Sequence, residues 1–320
     1  MGRWHADAIQ RIGGRVTVIV DPDESARRAL GERHPEARLA RELDPAFVAS
    51  LSTAAHVCTP VSTHATMVTG LVSAGLHVLV EKPFTESAES TTTLMSAAQG
   101  RGVLVCPVHQ FLFQDGIRRL LRWVPDMGPV RRIEFSTCSA GAQTDDPVRL
   151  DDLIGEVLPH PLALIRAVMG VSLARVNWQT AHPSPGEFRG LATVGGAIVD
   201  IAISAHGRPT ENTLRVVADG GSVTADLFHG YAVRQSPTVS RRAKITAPFV
   251  SSGKAFVGAS FNLVRRVMRR EPAYPGLREL VRAFYATIAT GGAPPIEPDA
   301  IADVATTRDR LLTRLRATSG

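Results

Sequence analysis

The chain has 320 residues, a formal net charge of +6, 44% hydrophobic residues and 21% charged ones. These values describe an ordinary globular protein, long enough for two domains. They exclude a disordered or fibrous chain. No apolar run reaches the roughly 20 residues a membrane span requires, and the start carries no signal-peptide core. Cys58, Cys106 and Cys138 are odd in number and far apart, which argues against a disulfide framework or a structural zinc site and fits a reducing cytoplasm. No metal is expected. The positive charge is dispersed, and with aromatics at only 5% the clusters around Arg241 and Arg265 read as solvated faces, so neither nucleic acid nor a membrane is an expected partner.

In chain order, Ala6 to Ile12 reads as the tail of a helix closed by Gly13-Gly14. Arg15 to Val20 is a β-branched strand ending at Asp21, followed by a helix over Ser25 to Arg33. Ala54 to Cys58 is a strand ending in Thr59-Pro60, and Ala65 to Ala74 is a helix. His77 to Val80 is a strand that stops in Glu81-Lys82-Pro83. A helix over Ser87 to Gln99 and a strand over Gly102 to Cys106 complete the first part. Strands alternating with helices predict an α/β domain with a doubly wound parallel sheet, over residues 1–108. Ligands of such sheets sit beyond the carboxyl ends of the strands. Asp21, Thr59, Glu81 and Lys82 all fall at strand exits.

The character then changes. A helix is predicted over Ile117 to Val124, a turn at Gly128-Pro129, a strand over Val130 to Thr137, and helix within Asp151 to Gly170. Strands follow over Ala174 to Thr180, Phe188 to Val194, Ala197 to Ala205, Thr213 to Ala218 and Ser222 to Asp226. The pairs Gly195-Gly196 and Gly220-Gly221 suit hairpin turns. This predicts an α+β domain with a largely antiparallel open sheet, over residues 109–320. Pro237 to Pro275 reads as loops, and two helices, Leu277 to Ala289 and Asp299 to Arg316, close the chain.

Lysine occurs only at Lys82, Lys244 and Lys254. A buried lysine can change its protonation state where arginine cannot. Lys82, held by a proline, is therefore a candidate for chemistry as well as for a plain surface turn. Asp21 can accept hydrogen bonds from an adenosine ribose or simply cap the next helix. Glu156 and His160 lie four residues apart, on one face if a helix runs through both. His160 can titrate near neutral pH, or serve only as a helix-start residue between two prolines.

The chain resembles the Gfo/Idh/MocA family of nicotinamide-dependent oxidoreductases. The resemblance rests on Gly2 followed by His5, Asp21, the Thr59-Pro60 and His64 cluster, Glu81-Lys82-Pro83, and Glu156 to His160. It implies an N-terminal Rossmann domain and a C-terminal domain whose open sheet serves in oligomerisation, giving a dimer or tetramer. It implies hydride transfer between NAD, with NADP as a second possibility, and a sugar, nucleotide sugar or cyclitol. In that resemblance Lys82, His160 and Glu156 are catalytic. Gly2, Asp21, Thr59, Pro60, His64, Glu81 and Lys82 bind the cofactor, and His109 and Gln110 contact substrate. The chain departs from the family pattern at Glu156, where an aspartate is usual, at Ala163 and at Leu112. It opens at the helix entrance, with Gly2 fitting the third glycine of a Gly-x-Gly-x-x-Gly turn. The missing strand and glycines are expected in an in-frame segment upstream of Met1. The alternative is a non-catalytic binding or scaffold member that has lost the cofactor.

Overall fold

The computed structural model describes residues 1–138, 146–237 and 240–318. These fall into two units: Met1–Val108 with Leu277–Ala305, and His109–Gly276 with Thr306–Gly320.

The first unit is a Rossmann-like α/β fold. Its parallel strands are β1 (Val18–Val20), β2 (Arg38–Ala40), β3 (Ala54–Val57), β4 (His77–Val80) and β5 (Val105–Pro107). They form two sheets, β1-β2 and β3-β4-β5. The helices are α1 (Gly2–Arg11), α2 (Glu24–Arg33), α3 (Pro45–Leu51), α4 (Val61–Ser73) and α5 (Ala88–Arg101), joined from the C-terminal part by α10 (Leu277–Thr290). Their starts are written locally. Asp23, Asp44 and Ser87 accept hydrogen bonds from backbone N–H groups of the first turns, as N-caps do. Val78, Leu79 and Val80 are buried, because a central parallel strand is covered on both faces. A sheet so enclosed can present polar side chains only where its strands end.

The second unit is α+β. Its seven-stranded sheet runs in the order β12-β11-β10-β6-β9-β8-β7. The strands are β6 (Val130–Cys138), β7 (Gln179–Ala181), β8 (Glu187–Val194), β9 (Ala197–Ser204), β10 (Glu211–Ala218), β11 (Gly221–Asp226) and β12 (Tyr231–Gln235). Only β6 and β9 pair in parallel. Burial alternates along β8 and β9, the pattern of a sheet covered on one face. The covering helices are α6 (Asp115–Trp123), α7 (Pro147–Val157) and α8 (Pro159–Met169), and α11 (Pro298–Thr318) contributes its second half.

Several expectations are corrected. The strand expected over Ala174 to Thr180 is only β7, at Gln179–Ala181. β2, α3 and β12 had no sequence reading. The stretch expected as loops contains α9 (Arg241–Met268), a helix of 28 residues; residues 238–239 of that stretch lie outside the described residues. Glycines and an internal Pro248 hid its period.

Gly116 on α6 is a packing requirement. A Cβ there would lie 2.6 Å from the Tyr231 carbonyl carbon and 2.9 Å from the Gly230 oxygen, whereas one on Gly100 meets nothing within 4 Å. Gly116→Ala should lower unfolding free energy by about 1–3 kcal/mol through overpacking, while Gly100→Ala should raise it by up to about 1 kcal/mol. Urea denaturation of both variants checks the pair.

Candidate functional site

The exits of β3 and β4 are tied together by one histidine. His64 is buried on the first turn of α4. One ring nitrogen lies 2.8 Å from the Thr59 carbonyl, and the other lies 3.0 Å from that of Pro83 and 3.2 Å from that of Phe84. A single rigid ring thereby sets the spacing between the Thr59-Pro60 turn and the Glu81-Lys82-Pro83 turn. Thr63 reinforces the first turn, donating to the Thr59 hydroxyl at 2.7 Å. Pro60 occupies the N-cap of α4, where its missing N–H costs nothing.

Glu81 is 7% exposed and held from two sides. Its Oε2 accepts from the Lys82 backbone N–H at 3.2 Å, and its Oε1 lies 3.0 Å from His5 Nε2. His5, on α1, is 1% exposed. Burial pulls its pKa down, but the Cys58 sulfur and the Glu81 carboxylate prevail and raise it to about 9. His5 Nδ1 lies 2.8 Å from His56 Nδ1. Burial and the positive charge on His5 push His56 well below the ordinary histidine value. The assignment follows: His5 carries two protons and donates one to Glu81 and one to His56. His56, neutral, holds its proton on Nε2 and donates it toward the Tyr285 oxygen at 3.3 Å. Tyr285, on α10, is raised to about 12 by burial and stacks on His56 with centroids 5.8 Å apart. Glu81 itself is depressed: burial raises it, but His5 and the Lys82 N–H outweigh that. A carboxylate and an imidazolium thus sit paired beneath Lys82, which is half-buried at the turn. The Lys82–Pro83 peptide is cis.

Asp21, at the end of β1, takes the Asp23 N–H at 2.9 Å on Oδ1, and its Oδ2 accepts no hydrogen bond among the described residues. Asp21 thus caps its own turn and keeps one carboxylate oxygen to spare. Gly2 opens α1, and a Cβ there would meet nothing within 4 Å. Among the described residues, no close packing requires glycine at that position.

The remaining sequence candidates belong to the second unit. His160 is buried at the start of α8, and Glu156 is half-buried in the last turn of α7. Leu158 between them keeps helical angles, so the two residues stay one turn apart despite Pro159 and Pro161. Pro159 has no N–H to offer the Gly155 carbonyl. Arg308 Nε donates to that carbonyl instead, at 2.8 Å. Gly155 lets Arg308 and Leu312 come close: a Cβ there would lie 3.3–3.4 Å from them. Phe111 packs against His160 with centroids 4.3 Å apart and ring planes tilted by 31°. His109 and Gln110 are buried, and the Gln110 Oε1 has no hydrogen-bond partner among the described residues. Sequence reasoning assigned no role to His56, Tyr285, Phe111 or Arg308. The one sequence signal for His56 is a polar residue inside an otherwise apolar strand, which asks for a partner.

Residues 1–109 match the model of an oxidoreductase family with an NAD-binding Rossmann fold. UDP-N-acetylglucosamine 3-dehydrogenase of Acidithiobacillus ferrooxidans is 33% identical over 282 residues, which cover 87% of this chain and 78% of that one. The match to scyllo-inositol 2-dehydrogenase (NADP(+)) IolU of Bacillus subtilis, 27% identical, spans only 38% of each chain. The structure of GenD2 from gentamicin A biosynthesis, solved with NAD, superposes with a TM-score of 0.76 at 22% identity, covering 100% of this chain and 92% of that one; at that identity it shows a shared fold. The chain belongs to the Gfo/Idh/MocA oxidoreductase family.

The buried pair has a pH signature. The His5 pKa is raised, so its contribution is complete below the unfolded value near 6.5 and is lost as pH climbs through about 9. The stability advantage of the wild type over Glu81→Gln should therefore shrink as pH rises from 7 to 10. Near pH 7 it should amount to about 3–5 kcal/mol, the cost of breaking a buried pair. Urea midpoints across that range check it, and a pH-independent difference would sink the assignment.

Proposed function

We propose that the chain is an oxidoreductase that uses NAD to move a hydride to or from the carbinol carbon of a sugar, nucleotide sugar or cyclitol. The observation that carries the reading is the Glu81-Lys82-Pro83 turn. A lysine stands at the exit of a buried parallel strand, above a carboxylate fixed by His5 and a backbone fixed by His64. A surface turn needs no such support. The donor set also suits the cofactor. Asp21 has an unengaged oxygen suited to ribose hydroxyls, and it would repel the extra phosphate of NADP. Gly2 opens α1 toward a pyrophosphate, and Thr59, Pro60, His64 and Glu81 line the adjoining strand exits.

When bound, the nicotinamide supplies the hydride chemistry. The protein's share is the proton and the charge. The Lys82 ammonium stabilises negative charge developing on the carbinol oxygen. The His160 imidazole takes the hydroxyl proton on oxidation and returns it on reduction. The Glu156 carboxylate steadies the imidazolium so formed, and Phe111 packs against the ring. Gln110 offers its buried Oε1 to a substrate hydroxyl. We further propose a cytoplasmic location, in keeping with three free cysteines. A homo-oligomer formed through the outer sheet face, where Leu191 and Ile198 are exposed, completes the reading.

The test is binding of NADH and NADPH followed by fluorescence, on this chain and on one extended to any in-frame upstream start, and then turnover on a panel of sugars, nucleotide sugars and cyclitols. His160→Ala should keep cofactor binding and lose at least about a hundredfold in kcat, and Lys82→Ala should lose as much in kcat while also weakening cofactor binding. Asp21→Ala should narrow the preference for NADH over NADPH. Full turnover by Lys82→Ala, or binding of neither cofactor by either chain, would overturn the reading.

A further inference from the structure

Helix α9 packs the wrong way round for a soluble protein. A surface helix normally buries its apolar stripe and shows its polar one. Here the stripe through Lys254, Gly258, Asn262 and Arg266 faces β12 and the segment around it. A Cβ on Gly258 would lie 3.6 Å from Tyr231 and 3.9 Å from Val233. Lys254 donates to the Arg234 carbonyl at 3.4 Å, Asn262 to the His229 carbonyl at 2.7 Å, and Arg266 to the carbonyls of Glu271 and Pro272. The opposite face therefore points outward, and it is apolar: Phe249, Phe256, Phe261, Val264, Val267 and Met268 are all more than half exposed, Phe249 at 80%. At 100° per residue these six fall within an arc of roughly 140°. The helix is about 42 Å long at 1.5 Å per residue, so the patch far exceeds the scattered exposed apolar side chains that need no explanation.

The charge pattern says what covers it. From Arg241 to Arg270 there are eight Lys and Arg residues and no Asp or Glu. Arg265 and Arg269 are paired with Asp115. Arg241, Lys244, Lys254 and Arg270 are exposed. An apolar face on a helix whose charges are all positive is the composition of a helix that lies in an anionic lipid interface. A second copy of the same helix would bring like charges together with no acid on the segment to answer them. A nucleic acid would meet the cations and leave the phenylalanines in water.

We propose that α9 docks the protein on an anionic membrane surface, with Phe249, Phe256 and Phe261 at the headgroup–acyl boundary and Arg241, Lys244 and Arg270 at the lipid phosphates. No helix among the described residues is long and apolar enough to cross a membrane, so the association is peripheral. Such docking departs from the expectation that no membrane is a partner.

The experiment is flotation of the full chain with vesicles of phosphatidylcholine mixed with phosphatidylglycerol, against phosphatidylcholine alone, alongside size-exclusion chromatography. The wild type should float with the mixed vesicles and bind the neutral ones at least about tenfold more weakly. Phe256→Ser with Phe261→Ser should cut binding by at least about tenfold. Both positions are exposed, so the circular dichroism spectrum and thermal midpoint should not move, which separates lost docking from lost folding. Absence of flotation with either vesicle overturns the proposal. So does a double variant that changes oligomeric state while vesicle binding stays at the wild-type level, since a second copy would then be the occupant.

Discussion

The structure of the first unit turns on one buried ion pair, His5 with Glu81. A carboxylate taken out of water needs a partner that is both charged and geometrically fixed. α1 delivers that partner from the far end of the chain's first segment, 76 residues away in sequence. Once the pair forms, the polarity of the string through His56 to Tyr285 has a single solution, and α10 is recruited through its aromatic ring. The same carboxylate takes the Lys82 backbone N–H. The orientation of the lysine turn is thus set by electrostatics beneath it, and its position by His64 beside it. Packing alone would not achieve this, because a buried apolar strand has no means of aiming the residue that follows it.

The second unit solves a comparable problem by steric means. His160 sits between two prolines that rob the helix of donors, yet the helical direction survives through Leu158. The carbonyl orphaned by Pro159 receives Arg308, and glycine at 155 leaves room for it. The prolines stiffen the segment that carries the histidine, and the arginine removes the penalty for placing them there. In both units a histidine is braced by groups remote in sequence, which local pattern could not reveal.

What was legible in the sequence follows from this. β4 and the helices flanking it could be read because burial on both faces writes an unbroken apolar run, and because Ser87 marks a helix's start; Gly102, read as a strand's first residue, is instead that helix's C-cap. The alternation in β8 and β9, and the glycine pair between them, made the open sheet readable. Asp21, Thr59, Glu81 and Lys82 could be placed at strand exits for the same reason. β2 could not be read, being three residues long and largely exposed. α9 was lost because helix prediction assumes the apolar stripe faces inward and that acids balance bases along the surface, and here neither holds. The His5–His56–Tyr285 string was invisible because each member is a single polar residue in an otherwise ordinary element, and their meeting is purely tertiary.

Neither unit is continuous in the chain. The first takes Leu277–Ala305 to finish, and the second takes Thr306–Gly320. Arg308 meets Gly155 across 153 residues, and Tyr285 meets His56 across 229. A nascent chain leaving the ribosome therefore has neither unit complete until residues beyond Gly276 have emerged. The usual order, in which an amino-terminal domain folds while the rest is still being made, is not open to it. The Tyr285–His56 and Arg308–Gly155 contacts both wait for those residues.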